Sequence, residues 1–137
     1  ELDIVPNNAL LQTNISAYTE EMKTIVYAAR SVNADIVVKF ILETGYLSAS
    51  QIKSGAAAIA DAGADFVKIC SGMGRRGASL DDVKLVRESI GDRAKIKVAG
   101  GIDTLAEARG FLSAGANRIG TSKAVEIMKE LTLSVST

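Results

Sequence analysis

A parallel α/β fold built from five successive βα units is what this sequence predicts, and three observations predict it. Short β-branched runs alternate with amphipathic stretches along the 137 residues, which is the pattern of strands and helices laid into a parallel sheet. No hairpin signal interrupts the series. Three lysines, Lys39, Lys68 and Lys97, recur at intervals of 29 residues, each in or ending a β-branched run such as Val37-Val38-Lys39-Phe40 or Phe66-Val67-Lys68-Ile69. A charge repeated at one point of a repeating unit is expected at one height of the sheet, which makes a cluster of amines.

Taken in order, the first strand is residues 2–5. The helix after it is 16–31, with Tyr18, Met22, Ile25, Val26 and Ala29 on one face. The second strand is 36–42, and the next helix starts near Ser48, where Ser48-Ala49-Ser50-Gln51 suits an N-cap with Gln at the third position. That helix stops near Gly63. The third strand is 66–70, and the loop Gly72-Met73-Gly74-Arg75-Arg76-Gly77 leads to a helix from about Ser79, whose hydroxyl and following Asp81 and Asp82 suit a helix start. The fourth strand is 95–98, followed by a helix from Thr104 through Ser113. The fifth is 118–119, before a last helix over roughly 123–131. Ala-Gly-Ala recurs at 62–64 and 114–116, each just before a strand, as a helix C-cap in the same place of two units.

Five such units suit either a doubly wound sheet or part of an eight-unit barrel. The letters Gly72-x-Gly74-x-x-Gly77 match a dinucleotide fingerprint, but two arginines lie inside them and they do not open the fold, so nucleotide binding is disfavoured. A complete (β/α)8 barrel takes about 200 to 250 residues, and the first strand follows Glu1 with no element before it. The chain therefore reads as one domain, the C-terminal part of a barrel with strands 4 to 8. Such a piece is expected to expose two sheet edges and an apolar barrel interior, and so to self-associate as a homo-oligomer.

Composition narrows the chemistry. With 47% hydrophobic residues the chain can bury a core, and its formal charge of zero argues against nucleic acid. No run approaches a membrane span or a signal peptide, which points to the cytosol. Histidine is absent and Cys70 is the single cysteine. Ser-His and Cys-His hydrolysis and Cys-rich zinc sites are thereby excluded. Acid-base work falls to Lys, Asp, Glu, Tyr or water, and a small metabolite is the expected partner.

Several motifs, in order, resemble the deoxyribose-phosphate aldolase family of class I aldolases. They are Glu1-Leu2-Asp3-Ile4-Val5, Val38-Lys39-Phe40-Ile41-Leu42-Glu43-Thr44, Ala62-Gly63-Ala64-Asp65-Phe66-Val67-Lys68 with Ser71-Gly72, Ile96-Lys97-Val98-Ala99-Gly100-Gly101-Ile102, and Ala114-Gly115-Ala116-Asn117-Arg118-Ile119-Gly120-Thr121-Ser122. The resemblance implies a (β/α)8 barrel, Lys68 as the Schiff-base lysine, Lys97 as the lysine that tunes it, and Asp3 as the carboxylate of a proton relay. It implies reversible cleavage of 2-deoxyribose 5-phosphate, a sugar phosphate, to acetaldehyde and glyceraldehyde 3-phosphate, with no metal or organic cofactor.

Physical chemistry supports those roles. An amine that ordinarily titrates near 10.4 must give up its proton about 4.6 kcal/mol more readily to act as a nucleophile near neutrality. A cation about 4 Å away supplies roughly 1 kcal/mol in water but about 4 at an effective dielectric of 20. Lys97 suffices only in a partly dry barrel mouth. Asp3 faces the same way as Val5, and a buried acid there needs cationic neighbours. For the phosphate, barrels use backbone N–H groups in the loops after strands 7 and 8; Gly100 with Gly101, and Gly120 with Ser122, occupy those loops, and Gly72 is expected to add a third side.

Some residues depart from the family. Ile69-Cys70-Ser71-Gly72 stands where Thr-Ser-Thr-Gly is usual, Asp103 where a basic residue is common, and Lys123 where a small one is usual. Cys70 either lines the pocket or is a small buried hydrophobe. Lys39 is read as a supporting charge, with Asp3 as a structural partner for it in the plainer reading. Gly100 and Gly101 have an alternative role in a tight turn, and Arg75 and Arg76 read as an exposed loop pair. Two competing functions stand beside the first: a Schiff-base barrel aldolase for another sugar phosphate, and a catalytically inactive fragment that self-associates.

Overall fold

The computed structural model describes residues 1–135. Five parallel strands run in sequence order: β1 (Leu2–Ile4), β2 (Val38–Ile41), β3 (Phe66–Lys68), β4 (Lys95–Ala99) and β5 (Arg118–Gly120). Consecutive strands pair side by side in sequence order, as in one arc of a barrel wall. Between them lie α1 (Asn8–Thr13), α2 (Ile15–Val32), α3 (Ala49–Asp61), α4 (Leu80–Ile90) and α5 (Leu105–Ser113), and α6 (Ala124–Val135) follows β5. Among the described residues no helix is long and apolar enough to cross a membrane.

The capping residues act as their chemistry requires. Ser48 with Gln51, Ser79 with Asp82, and Thr104 with Glu107 each form a reciprocal capping box at the start of α3, α4 and α5. At the other end, the two Ala-Gly-Ala segments close α3 and α5 identically: Ala64 N–H donates to the Ile59 carbonyl and Ala116 N–H to the Phe111 carbonyl. The intervening Gly63 and Gly115 have φ of 82° and 112°. Helix α1 is absent from the sequence expectations. It is a six-residue turn with too few positions to show a period, held by the Asn7 side chain on Ala9 N–H and docked through buried Leu11.

Alternation along the strands separates two faces. Val38, Phe40, Val67, Ile69, Ile96 and Val98 pack with Tyr18, Met22, Ile59 and Val86 into the core under the helices. Complete burial of each large apolar side chain contributes about 1.5 to 3 kcal/mol. The opposite face carries Asp3, Lys39, Ile41, Phe66, Lys68, Lys97 and Arg118, which corrects the expected apolar interior. Its aromatic Phe66 lies under the Arg118 guanidinium at 4.6 Å and the Lys95 ammonium at 5.8 Å. The sheet curls enough for Glu1, beside one edge, to reach Arg118 on the opposite edge strand at 2.6 Å.

Register corrects the expectation of three equivalent lysines. Lys68 pairs directly with Lys97, and Lys97 with Arg118, but Lys39 pairs with Asp3 and Phe66, while Ile41 is the partner of Lys68. The 29-residue period is in register across β3 and β4 alone. Lys39 sits two residues lower, about 6.6 Å along the strand, because β2 and β3 pair with an offset two residues shorter than the repeat.

Candidate active site

The amines converge on one carboxylate. Asp3 Oδ1 lies 3.4 Å from Lys68 Nζ and 3.4 Å from Lys97 Nζ, while its Oδ2 lies 3.7 Å from Lys39 Nζ. The lysine side chains are 12%, 17% and 1% exposed, and that of Asp3 37%, so Asp3 is the wet member rather than the buried acid expected. Lys39 also donates to Glu1 at 3.1 Å, and Glu1 accepts from Arg118. The carboxyl of Glu1 is held down at about 2, first by the Arg118 hydrogen bond and then by that of Lys39.

Opposing forces act on the other groups. Burial pushes the Asp3 carboxyl up, but the charges of Lys68, Lys97 and Lys39 together outweigh it and hold Asp3 below the ordinary carboxylate range. Burial, and next the Lys68 charge, lower the proton affinity of Lys97, with Asp3 opposing them. A carboxylate between two amines, one of them biased toward release, is equipped to pass a proton.

The loops after β4 and β5 form a pocket of about 280 Å³ lined by Ser71, Ala99, Gly100, Gly101, Ile102, Asp103, Gly120, Thr121 and Ser122. It lies immediately before the N-termini of α5 and α6, where partial positive charge accumulates. It adjoins the amines: a Cβ built on Gly120 would lie 3.6 Å from Lys97 Cε. Of the expected glycines, Gly100, Gly101 and Gly120 line it, as does Ser122. Gly72 does not. It lies against Gly100, which has φ 88° and where an added Cβ would meet Gly72 Cα at 3.1 Å, tighter than an ordinary contact; Ser71 forms the third wall instead. Asp103 lines the pocket and Lys123 does not.

Cys70 takes the plainer of its two readings: it is fully buried, with its thiol donating to the Ala99 carbonyl at 2.6 Å. Burial pushes that thiol up. The arginines divide. Arg75 stacks over exposed Tyr46 at 5.5 Å. Arg76 is no free loop charge: its guanidinium grips both oxygens of Asp82, which is 4% exposed and also accepts from Thr44 Oγ1 at 2.9 Å. Sequence reading missed this clamp because Asp82 looked like a first-turn carboxylate and nothing linear links it to Thr44. It also missed Glu43, whose two carboxylate oxygens lie 3.2 and 3.3 Å from the Ser71 nitrogen.

No family model matches the chain. Among curated proteins, the deoxyribose-phosphate aldolase of Caldicellulosiruptor saccharolyticus is 45% identical over 131 residues, covering 95% of this chain and 59% of that protein. Among solved structures, "QR15, an Aldolase" superimposes with a TM-score of 0.88 at 37% identity, covering 98% of this chain and 60% of that one. The deoxyribose phosphate aldolase from Aeropyrum pernix, described as a unique tetrameric structure, gives a TM-score of 0.82 at 30% identity, over 96% of this chain and 54% of its own. The five strands and their helices are thus a partial TIM barrel, and over most of its length this chain is a homologue of deoxyribose-phosphate aldolases, spanning about three fifths of the curated relative.

Proposed function

We propose that the chain carries the catalytic constellation of a class I aldolase acting on 2-deoxyribose 5-phosphate. One observation supports this above the rest: two lysines paired in register share one carboxylate oxygen at 3.4 Å, next to a pocket at two helix N-termini suited to a phosphate. In the synthetic direction the neutral Lys68 amine attacks the acetaldehyde carbonyl carbon, and the carbinolamine loses water to give an iminium. Loss of a methyl proton makes an enamine. Its carbon attacks the aldehyde carbon of glyceraldehyde 3-phosphate, and water then releases the sugar phosphate and restores the amine. Each stage moves a proton, and Asp3 with Lys97 and water carries it. Gly100, Gly101, Gly120 and Ser122 hold the phosphate with backbone and hydroxyl donors.

Borohydride reduction in the presence of acetaldehyde tests the reading. An ethyl group is expected on Lys68, with none in Lys68→Arg. An unmodified Lys68, in this chain and in a full-length barrel containing it, refutes the reading. We also propose self-association, supported by the tetrameric relative and by Val125, Met128 and Leu133, which are 64%, 57% and 72% exposed on α6. Size-exclusion chromatography tests it, and a monodisperse monomer counts against it.

A further inference from the structure

We infer that Glu43 is a positioning residue for the anion pocket, fixing its Ser71 wall through the Ser71 backbone N–H. The inference rests on the reading of that pocket as a phosphate subsite and adds a residue outside its lining.

Glu43 follows β2 at the end of the sheet where Lys68 and Lys97 emerge. It has φ 56° and ψ 59°, and among the described residues it is the one non-glycine residue with positive φ. Most L side chains avoid this conformation, and a glycine would adopt it without penalty. A side chain held there against preference marks a site where the side chain itself matters.

Its surroundings say what it does. The Leu42 N–H donates to the Lys68 carbonyl at 2.8 Å and the Thr44 N–H to the Ile69 carbonyl at 3.1 Å, so the residues on either side of Glu43 keep step with the extension of β3. The left-handed turn between them aims the Glu43 carboxylate at Ser71 N–H, which both oxygens accept at 3.2 and 3.3 Å. Gly74 makes room, since a Cβ built there would lie 2.6 Å from Glu43 Oε1. Ser71 is pinned a second time, its Oγ accepting the Met73 N–H at 3.0 Å. With its N–H committed to Glu43, Ser71 presents a fixed wall to the pocket, three residues along the chain from Lys68.

Charge and geometry predict opposite outcomes, which makes the role decidable. As a mere negative charge near the pocket, Glu43 repels phosphate, and its loss tightens binding. As a positioning group it shapes the pocket, and its loss loosens binding. Inorganic phosphate titrated into the ¹⁵N-labelled chain, followed at the Ser71, Gly101 and Ser122 amides, separates the two. Glu43→Gly is expected to weaken phosphate binding about tenfold, the scale of one charge-assisted hydrogen bond. Its thermal midpoint is expected to stay at or above the parent's, because glycine relieves the turn. Glu43→Gln keeps an acceptor oxygen without the charge and is expected to bind within about threefold of the parent. Unchanged or tighter binding by Glu43→Gly overturns the inference. A parent chain that binds no phosphate overturns it together with the subsite reading. A parent that binds phosphate but gains no ethyl group at Lys68 removes the aldolase reading alone, and the variant comparison then still decides the role of Glu43.

Discussion

Replacing Lys97 by methionine removes a charge while keeping most of the side-chain volume, and the geometry fixes a lower bound on its effect. Two ammonium nitrogens that each lie 3.4 Å from Asp3 Oδ1 can be no more than 6.8 Å apart. At that distance their repulsion is about 2.4 kcal/mol at an effective dielectric of 20, and about 0.6 in bulk water. The side chains are only 12% and 17% exposed, so the larger figure applies. Lys97→Met therefore removes a repulsion of about 2.4 kcal/mol from the amine cluster, which sets an expected trapping deficit of about 60-fold. The assay is the initial rate of acetaldehyde trapping by borohydride, measured against pH. Lys97→Met is expected to trap more slowly than the parent, and Lys97→Arg, which restores the cation, is expected to recover much of the rate. Equal trapping rates for parent and Lys97→Met, or a deficit that Lys97→Arg does not relieve, refute the reasoning.

Asp3→Asn removes the anion shared by the amines and the proton carrier between them, and is expected to slow both trapping and the exchange of the acetaldehyde methyl protons, followed by deuterium incorporation. Arg76→Ala removes a charged donor from Asp82, which is 4% exposed but keeps its Thr44 and Ser79 hydrogen bonds, and is expected to cost about 1 to 3 kcal/mol in a urea melt. Burial raises the Asp82 carboxyl, but the hydrogen bonds from Arg76 and Thr44 more than compensate and hold it below its ordinary value. Its contribution is therefore complete above the ordinary aspartate range and lost as pH falls through the lower folded value, so acid melts of the parent and of Asp82→Asn should differ in that window. Gly77→Ala places a Cβ 2.6 Å from the Gly100 carbonyl oxygen, an overpacking of backbone expected to cost about 1 to 3 kcal/mol. Gly120→Ala, where an added Cβ has its nearest neighbours at 3.5 and 3.6 Å, is expected to leave the unfolding free energy from a urea melt within about 0.5 kcal/mol of the parent's.

What could be read from the chain follows the range over which each force acts. Ser48 and Gln51 are three residues apart, and the Ala-Gly-Ala closures are contiguous, so their hydrogen bonds could be read from the letters. The pairing of Lys68 with Lys97 was legible because both hang on a repeat that β3 and β4 keep in register. The drop of Lys39 was not, because stagger between strands is set by how the sheet coils. Asp82 and Thr44 are 38 residues apart, and their meeting depends on the packing of a loop over a strand end. The left-handed turn at Glu43 had no signal, since the residue that marks such turns is glycine. The polar inner face was misjudged for another reason: its lysines alternate with apolar residues that belong to the helix-side core, and a short buried strand reads as apolar overall.

The bridge from Glu1 to Arg118 joins residues 117 apart, and Lys97 reaches Asp3 across 94. Contacts at such separation form only after the chain between them is ordered, because closing a long loop carries an entropic cost that no local interaction offsets beforehand. The helix caps and neighbouring strand pairs can form early and unit by unit, whereas the amine cluster exists only once the first four strands have come together. Assembly of the amine cluster thus reports that the first four strands have closed into one sheet, and a partly folded chain carries its lysines apart from Asp3.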